Sequence, residues 1–413
     1  MSATSKKKIL YVCRLFNGLE TSVKSRKWNP TGVPTIYKII ETLDSSDLYD
    51  LDLLIVSKNN QTNMKFGLVN KIKILGLSSI VTVLYSFSIK HKKTHTIVQE
   101  LFHILFIFFK VLFGKYDLIY IDHANIFSAV IISRMRDIPV IFRIMGVYPA
   151  MRDAMSNYGI KAFLRYCYRS PFDAVICTQD GSGVEPWLNV AINKNTKVHT
   201  LINGVDACKS TNGDTQILYD KYNIPRDKLI ILYIGKIEII KGIYEFIEGF
   251  SIANKNLEGR LHAVIIGHGN QYNYVLSSPY NDASVTMIPR VSHSEICLFH
   301  GISDIYISPN RLANLTNANL EAMISGACIV IPESQPETSV DLITDKLLNN
   351  DSVYRVPFPP TATNISNSII VLSSEPKIRE SLSKNVVKQS SQFVTSWDER
   401  IKYELQIIES YLK

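Results

Sequence analysis

Short runs that are apolar from end to end recur along this chain, and each hands over to a helical segment. KKILYV, LDLLIV, DLIYI, PVIFRI and DAVICT lie in the first half; KLIILYIG, LHAVIIG, DIYISP and CIVIP lie in the second. A strand that is apolar on both faces must be covered on both faces, and intervening helices enforce parallel pairing. The chain therefore reads as α/β, with doubly wound sheets. At 413 residues it exceeds what one core holds, so two domains are expected. The first spans 1–202 and the second 203–395. An Asn-Gly turn in INGVD (202–206) serves as the hinge, and the tail over 396–413 reads as an amphipathic helix.

The stretch from Pro309 to Pro332, PNRLANLTNANLEAMISGACIVIP, organises the second half. Its Asn-rich opening favours turns and caps. Leu320, Met323 and Ile324 give one apolar helix face, and Gly326 is placed to end the helix in the left-handed conformation. A loop feeding such a helix presents backbone N–H groups and a positive dipole end, which suits phosphate. Glu321 sits a turn inside, where it could accept from ribose hydroxyls. The bland alternative is an ordinary loop–helix–strand unit with a surface glutamate.

Lys236 and Lys241 flank a second loop, GKIEIIKG. Two cations five residues apart can converge on one diphosphate and assist its departure, or each can simply be solvated. GHGN (267–270) lacks the G-x-G-x-x-G spacing of a dinucleotide fold. Strand ends in the first half place His123, Arg143 and the run Gln179, Asp180, Gly181 where active-site groups gather. The basic loop from Phe16 to Pro34 is read as structureless, with Gly32 at its helix mouth. Asp50 and Asp52 have ligand spacing but precede a strand, so a solvated turn is expected. No zinc set, nucleophile elbow or carboxylate pair is evident, and no metal or cofactor is expected.

Residues 97–113, IVQELFHILFIFFKVLF, are too interrupted for a spanning helix. They read as a buried crossover helix or, with SIKHKKTH (88–95) before them, as a basic amphipathic helix on a membrane surface. Charge is uneven: residues 1–200 hold 26 Lys and Arg against 14 Asp and Glu, whereas residues 201–413 hold 19 against 23. A basic first half facing an anionic partner follows, and an anionic lipid surface or lipid-linked phosphate suits it better than nucleic acid, for which no module appears. The six cysteines are scattered singly and the N-terminus does not resemble a signal peptide. Unpaired thiols in a reducing cytoplasm are expected.

Taken in order, these pieces resemble glycosyltransferase family 4, the retaining nucleotide-sugar transferases. INGVD, ILYIGKIEIIKGIYEFIEGF, LHAVIIGHGN, VTMIPRVSHSEI, ISDIYISP and NLEAMISGACIVIP follow the family's sequence of elements. The resemblance implies a GT-B fold, two Rossmann-like domains facing each other across a cleft. It implies Lys236, Lys241 and His123 as catalytic residues. Donor contacts would come from Gly32, Gly235, Gly267, Gly269, Arg290, Val291, Leu315, Thr316, Asn317 and Glu321, with Arg143 and Asp180 on the acceptor side. The donor would be a nucleotide diphosphate sugar, and the acceptor a glycan or lipid-linked molecule met in the cytoplasm or at the inner membrane face. Two departures stand out. The first of the family's two spaced glutamates falls on Ala313, and Met145 precedes Gly146 where the family commonly has His. A non-catalytic scaffold or a sugar-nucleotide epimerase of the same fold are the alternatives.

Overall fold

The computed structural model describes residues 6–58, 68–85, 92–135, 137–156, 160–206 and 212–412. Residues 1–178, 185–201 and 400–413 group into one compact unit; residues 179–184 and 202–399 group into another.

The first unit runs β1 (Lys7–Arg14), α1 (Asn17–Ser25), α2 (Pro34–Ser45), β2 (Tyr49–Val56), β3 (Val69–Lys73), β4 (Ile80–Leu84) and α3 (Lys92–Phe113). It continues with β5 (Leu118–Asp122), α4 (Ile126–Met135), β6 (Val140–Ile144), α5 (Pro149–Ser156), α6 (Ile160–Tyr168), β7 (Ala174–Thr178), α7 (Val184–Ala191) and β8 (Lys197–Leu201). Its sheet has the order β3-β4-β2-β1-β5-β6-β7-β8. The central strands are parallel, as the unbroken apolar runs require, and Ile9 to Cys13 are buried throughout.

Three local readings are corrected. The Phe16–Pro34 loop contains α1, whose Leu19 and Val23 are buried four residues apart, a pattern too sparse to read from sequence. An antiparallel edge strand, β3, pairs with β4 and breaks the all-parallel expectation. Asp50 and Asp52 lie inside β2 rather than in a solvated turn, and Asp52 takes the Lys110 ammonium at 2.7 Å and the Tyr116 hydroxyl at 2.6 Å.

The second unit runs α8 (Asn212–Lys221), β9 (Leu229–Ile234), α9 (Ile243–Asn256), β10 (Leu261–Ile266), α10 (Tyr272–Leu276), β11 (Val285–Ile288), α11 (His293–Ile302) and β12 (Ile305–Ile307). After these come α12 (Asn317–Ile324), β13 (Ile329–Pro332), α13 (Leu342–Leu347), β14 (Tyr354–Val356), α14 (Ala362–Ser374) and α15 (Pro376–Ser390). The sheet order is β11-β10-β9-β12-β13-β14, all parallel. Along β9, Ile230 and Leu232 enter one apolar core while Ile231 and Tyr233 enter the other. That two-sided burial is why the run carries no polar alternation. The last helix, α16 (Trp397–Glu409), contributes its residues from Arg400 onward to the first unit.

Four described cysteines, Cys13, Cys167, Cys177 and Cys328, are buried and form no disulfide. Cys297, on α11, is disulfide-bonded, which corrects the expectation that every thiol is unpaired. Cys208 lies outside the described residues.

Candidate functional site

In the second sheet, β9 opens the order and the chain then builds outward on both sides of it, so the strand order reverses between β9 and β12. The crevice beyond the carboxyl ends of two such strands is where open α/β sheets hold ligands. Gly235 and Lys236 follow β9 there, Gly267 and Gly269 follow β10, Arg290 and Val291 follow β11, and the Asn310–Thr316 loop follows β12.

These loops are packed on one another. A Cβ at Gly267, whose φ is +147°, would lie 1.8 Å from the Gly235 carbonyl oxygen. Only glycine fits that approach. A Cβ at Gly242, φ +74°, would lie 2.3 Å from the Pro309 carbonyl, so the lysine loop and the Asn-rich loop meet there backbone to backbone. The Arg311 amide donates to the Ile240 carbonyl at 3.1 Å, fixing the same junction. Tyr233 braces the lysine loop from below, its hydroxyl 3.1 Å from the Lys236 carbonyl and 3.4 Å from that of Lys241.

The two lysines differ in setting. The Lys236 side chain is exposed, with Glu238 3.9 Å away. Burial pulls the Lys241 ammonium below its ordinary range, and the Asp180 carboxylate works against that. A half-buried cation facing fixed loops is a stronger electrostatic element than a solvated one, because less water screens it.

α12 begins as the sequence suggests. Thr316 caps it, its hydroxyl accepting from the Asn319 amide at 3.4 Å, and Gly326 ends it at φ +72°. Asn317 and Ala318 head the helix, where backbone N–H groups have no carbonyl a turn earlier. Asn317 also takes the Asn203 side-chain amide at 2.6 Å. One turn inside, burial and then the nearby Asp206 charge push the Glu321 carboxyl up to about 7. His293 Nδ1 is 3.8 Å from that carboxyl. Ala313 is buried, and its carbonyl accepts from the Asn310 side chain.

Two residues escape sequence reading. Asp341, at φ +59°, accepts from the Asn314 amide (2.7 Å), the Asn314 side chain (2.7 Å) and the Thr344 hydroxyl (2.9 Å). Burial raises its carboxyl to about 7 against those donors. It holds the loop that precedes α12, yet VDLITD carries no local signal of that role. His293 is the second; its position follows only from the packing of α11 on α12.

Asp180 is the acceptor-side candidate that meets the second unit. It sits just past β7, but groups with the second unit, where its carbonyl accepts from the Leu315 amide at 2.9 Å and its carboxylate supports Lys241. It therefore lies beside the donor candidates Leu315 and Lys241. The other acceptor-side candidate, Arg143, is corrected. Its side chain is 0% exposed, its Nε is 3.3 Å from Glu404, and it donates to the Ile176 carbonyl (3.1 Å) and Thr178 hydroxyl (2.8 Å). An arginine paired with Glu404 and wholly enclosed cannot receive a substrate.

In the first unit, Gly32 takes φ +98° with open space where a Cβ would stand. His123 follows β5, its Nε2 2.7 Å from the Tyr168 hydroxyl and its ring stacked on that tyrosine. Burial lowers its pKa to about 4, so the ring is neutral near pH 7. Thr35 Oγ1 lies 3.5 Å from the Met145 sulfur, so Met145 meets the start of α2. Among the described residues, no group of three or more His, Cys, Asp or Glu side chains is placed to hold a metal ion.

Residues 214–389 match the family model for glycosyl transferases group 1. No curated protein matches the sequence. Solved structures match over nearly the whole length at low identity. A sucrose-phosphate synthase from Thermosynechococcus elongatus is 13% identical, with a TM-score of 0.69 over 98% of this chain and 99% of its own. Anabaena HepE in complex with UDP and glucose is 13% identical, with a TM-score of 0.65 over 98% and 100%. WaaG, a glycosyltransferase involved in lipopolysaccharide biosynthesis, is 10% identical, with a TM-score of 0.66 over 97% and 99%. The chain has the GT-B fold.

Proposed function

We propose that the chain is a retaining, metal-independent glycosyltransferase of family 4 that moves a sugar from a nucleotide diphosphate sugar to a glycan or lipid-linked acceptor. We place it in the cytoplasm, in the assembly of surface polysaccharide or a related glycoconjugate. One observation carries the reading: a half-buried lysine, the N-terminal turn of α12 and the raised carboxyl of Glu321 line one edge of the second sheet. A diphosphate suits the first two, a ribose the third. The group 1 match over this same unit supports the donor class, and the UDP held by the Anabaena neighbour makes uridine the first base to try.

In this reading Lys236, Lys241 and the α12 amides neutralise the departing diphosphate. The acceptor hydroxyl attacks from the face that the diphosphate leaves, and a phosphate oxygen takes its proton. No glutamate stands at Ala313 to contact the sugar, so sugar choice falls to the neighbouring loops. That absence also supports a second reading, a scaffold that binds nucleotide without turnover.

A thermal-shift panel of uridine, guanosine, adenosine and cytidine diphosphates with their sugar conjugates tests the proposal. A ligand at 100 times its Kd should stabilise the protein by about 2.7 kcal/mol. One base family should raise the Tm, and Glu321→Ala should remove the shift. Silence from every nucleotide would sink the donor site. A shift with no nucleotide release would favour the scaffold.

Affinity should also depend on pH. Burial raises Glu321 from 4.5 to about 7, so in the free protein its stabilising share is present below 4.5 and fades as pH rises through about 7. Ribose hydroxyls need the ionised carboxylate. Nucleoside diphosphate affinity should therefore climb with pH and level off above about 7, falling about tenfold one unit below. Asp341 titrates in the same window, so Glu321→Gln separates them. Calorimetry on that variant should give a pH profile without the step, and an unchanged step would remove Glu321 from the ribose.

A further inference from the structure

We propose that one helical layer of the first unit, α3 with α4 and α6, docks on an anionic phospholipid surface. The inference does not depend on the donor reading. α3 shows two unlike faces. Inward, Gln99 donates to the Ser57 carbonyl at 2.6 Å, Glu100 pairs with Lys58 at 2.8 Å, Lys110 pairs with Asp52 at 2.7 Å, and Ile107 and Val111 are buried. Outward, Ile97, Leu101, Leu105, Phe109 and Phe113 recur at every fourth residue and are 49–79% exposed. Five large apolar side chains in one row form the kind of patch that soluble surfaces rarely leave uncovered.

The 19 residues from His95 to Phe113 are long and apolar enough to cross a membrane. Their anchorage argues against crossing. β4 before the helix and β5 after it belong to one sheet, and the inward polar contacts tie α3 to that sheet. A helix so seated lies along an interface, apolar face down.

The layer continues through α4, on which α3 packs, to α6. There Phe163 and Tyr166 are exposed, Phe163 meets Phe127 of α4 at 6.0 Å between ring centroids, and the exposed Arg134 stands 4.5 Å above the Tyr166 ring. Across α3, α4 and α6 the sequence holds six Lys and Arg against one carboxylate, Glu100; Lys110 and Glu100 are spent on the inward pairs, which leaves five cations and no carboxylate. Lys92 and Lys93 open α3, and the exposed Lys115 follows it. An apolar row accompanied by the exposed cations Arg134 and Lys115 and by exposed aromatic rings matches an anionic headgroup surface, whose potential rewards each added cation. A second copy of the same face would set cation against cation, which favours lipid over self-association.

The test uses the full chain and sedimentation with phosphatidylcholine vesicles, with and without phosphatidylglycerol. Binding should require phosphatidylglycerol and weaken in high salt. Leu105→Asp/Phe109→Asp should lower vesicle affinity about tenfold or more, and Leu105→Gln/Phe109→Gln should lower it less, both with an unshifted melting curve because the residues are exposed. Failure to bind anionic vesicles at low salt would overturn the proposal. So would equal affinity of the aspartate variant, or a dimer in sedimentation velocity that the same substitutions dissolve. Nucleoside diphosphate binding should survive in both variants, so loss of docking and loss of the donor site read out separately.

Discussion

Glu404→Ala should destabilise the first unit by about 3–5 kcal/mol, the cost of stripping the counter-charge from a buried ion pair. Glu404 on α16 is 0% exposed and accepts from the Tyr120 hydroxyl on β5. Its carboxylate lies 3.3 Å from Arg143 and 2.7 Å from Arg400, which are also buried. Burial alone would push its pKa up; Arg143 and then Arg400 outweigh that and hold it below the ordinary range. Removal leaves two buried guanidinium groups facing each other with no anion between them. For a unit of this size, 1 kcal/mol moves the Tm by about 2–4 °C, so the expected drop is large and measurable by calorimetry. Glu404→Gln keeps an acceptor for Tyr120 and should lose less. Arg143→Met/Glu404→Leu should recover much of the loss, since replacing both partners with apolar groups removes the stranded charge. A truncation after Ser396 removes the helix and should cost at least as much. Melting within a degree or two of wild type for Glu404→Ala would show that the pair does not hold α16 to the sheet. The same network gives a pH sign: its depressed carboxylate contributes stability at neutral pH, lost as acid protonates Glu404.

That network marks the boundary of what the sequence discloses. β1, β5 and β9 were legible because two-sided burial writes itself as unbroken apolar runs, and α12 because Thr316 and Gly326 carry its start and stop chemistry locally. The capping box at Ser292 and Glu295 on α11 was readable for the same reason, both halves lying within one turn. Arg143 was misread because its carboxyl-end position is local, whereas its partner arrives from a helix near the other end of the chain. Asp180 is legible as a strand-end residue, but its neighbours Leu315 and Lys241 belong to distant segments. Asp341 had no local signature, since its role is to satisfy Asn314. α1 was lost among the basic residues around it. Local periodicity and capping survive in sequence, while charge compensation across elements does not.

Lys241→Met should lower the rate of nucleotide release from the sugar donor by about 10²–10³. In the proposed reaction, negative charge grows on the diphosphate as the sugar–phosphate bond breaks. An ammonium already partly desolvated pays less reorganisation at that moment, and Lys241 is that group, drawn below its ordinary range by burial and supported by Asp180. Lys236 is solvated, with Glu238 beside it, so Lys236→Met should cost about tenfold at most and mainly in binding. Lys241→Arg keeps the charge but carries a bulkier planar head into a loop pinned at Gly242 against Pro309, and should restore only part of the rate. The measurement is the initial rate of nucleoside diphosphate release at saturating donor, using the sugar nucleotide picked out by the thermal-shift panel. Binding of the free diphosphate is followed alongside, so that a fallen rate is not mistaken for an empty site. If Lys241→Met binds normally and turns over within a few-fold of wild type, leaving-group stabilisation rests on the α12 amides instead, and the lysine loop is a binding element only.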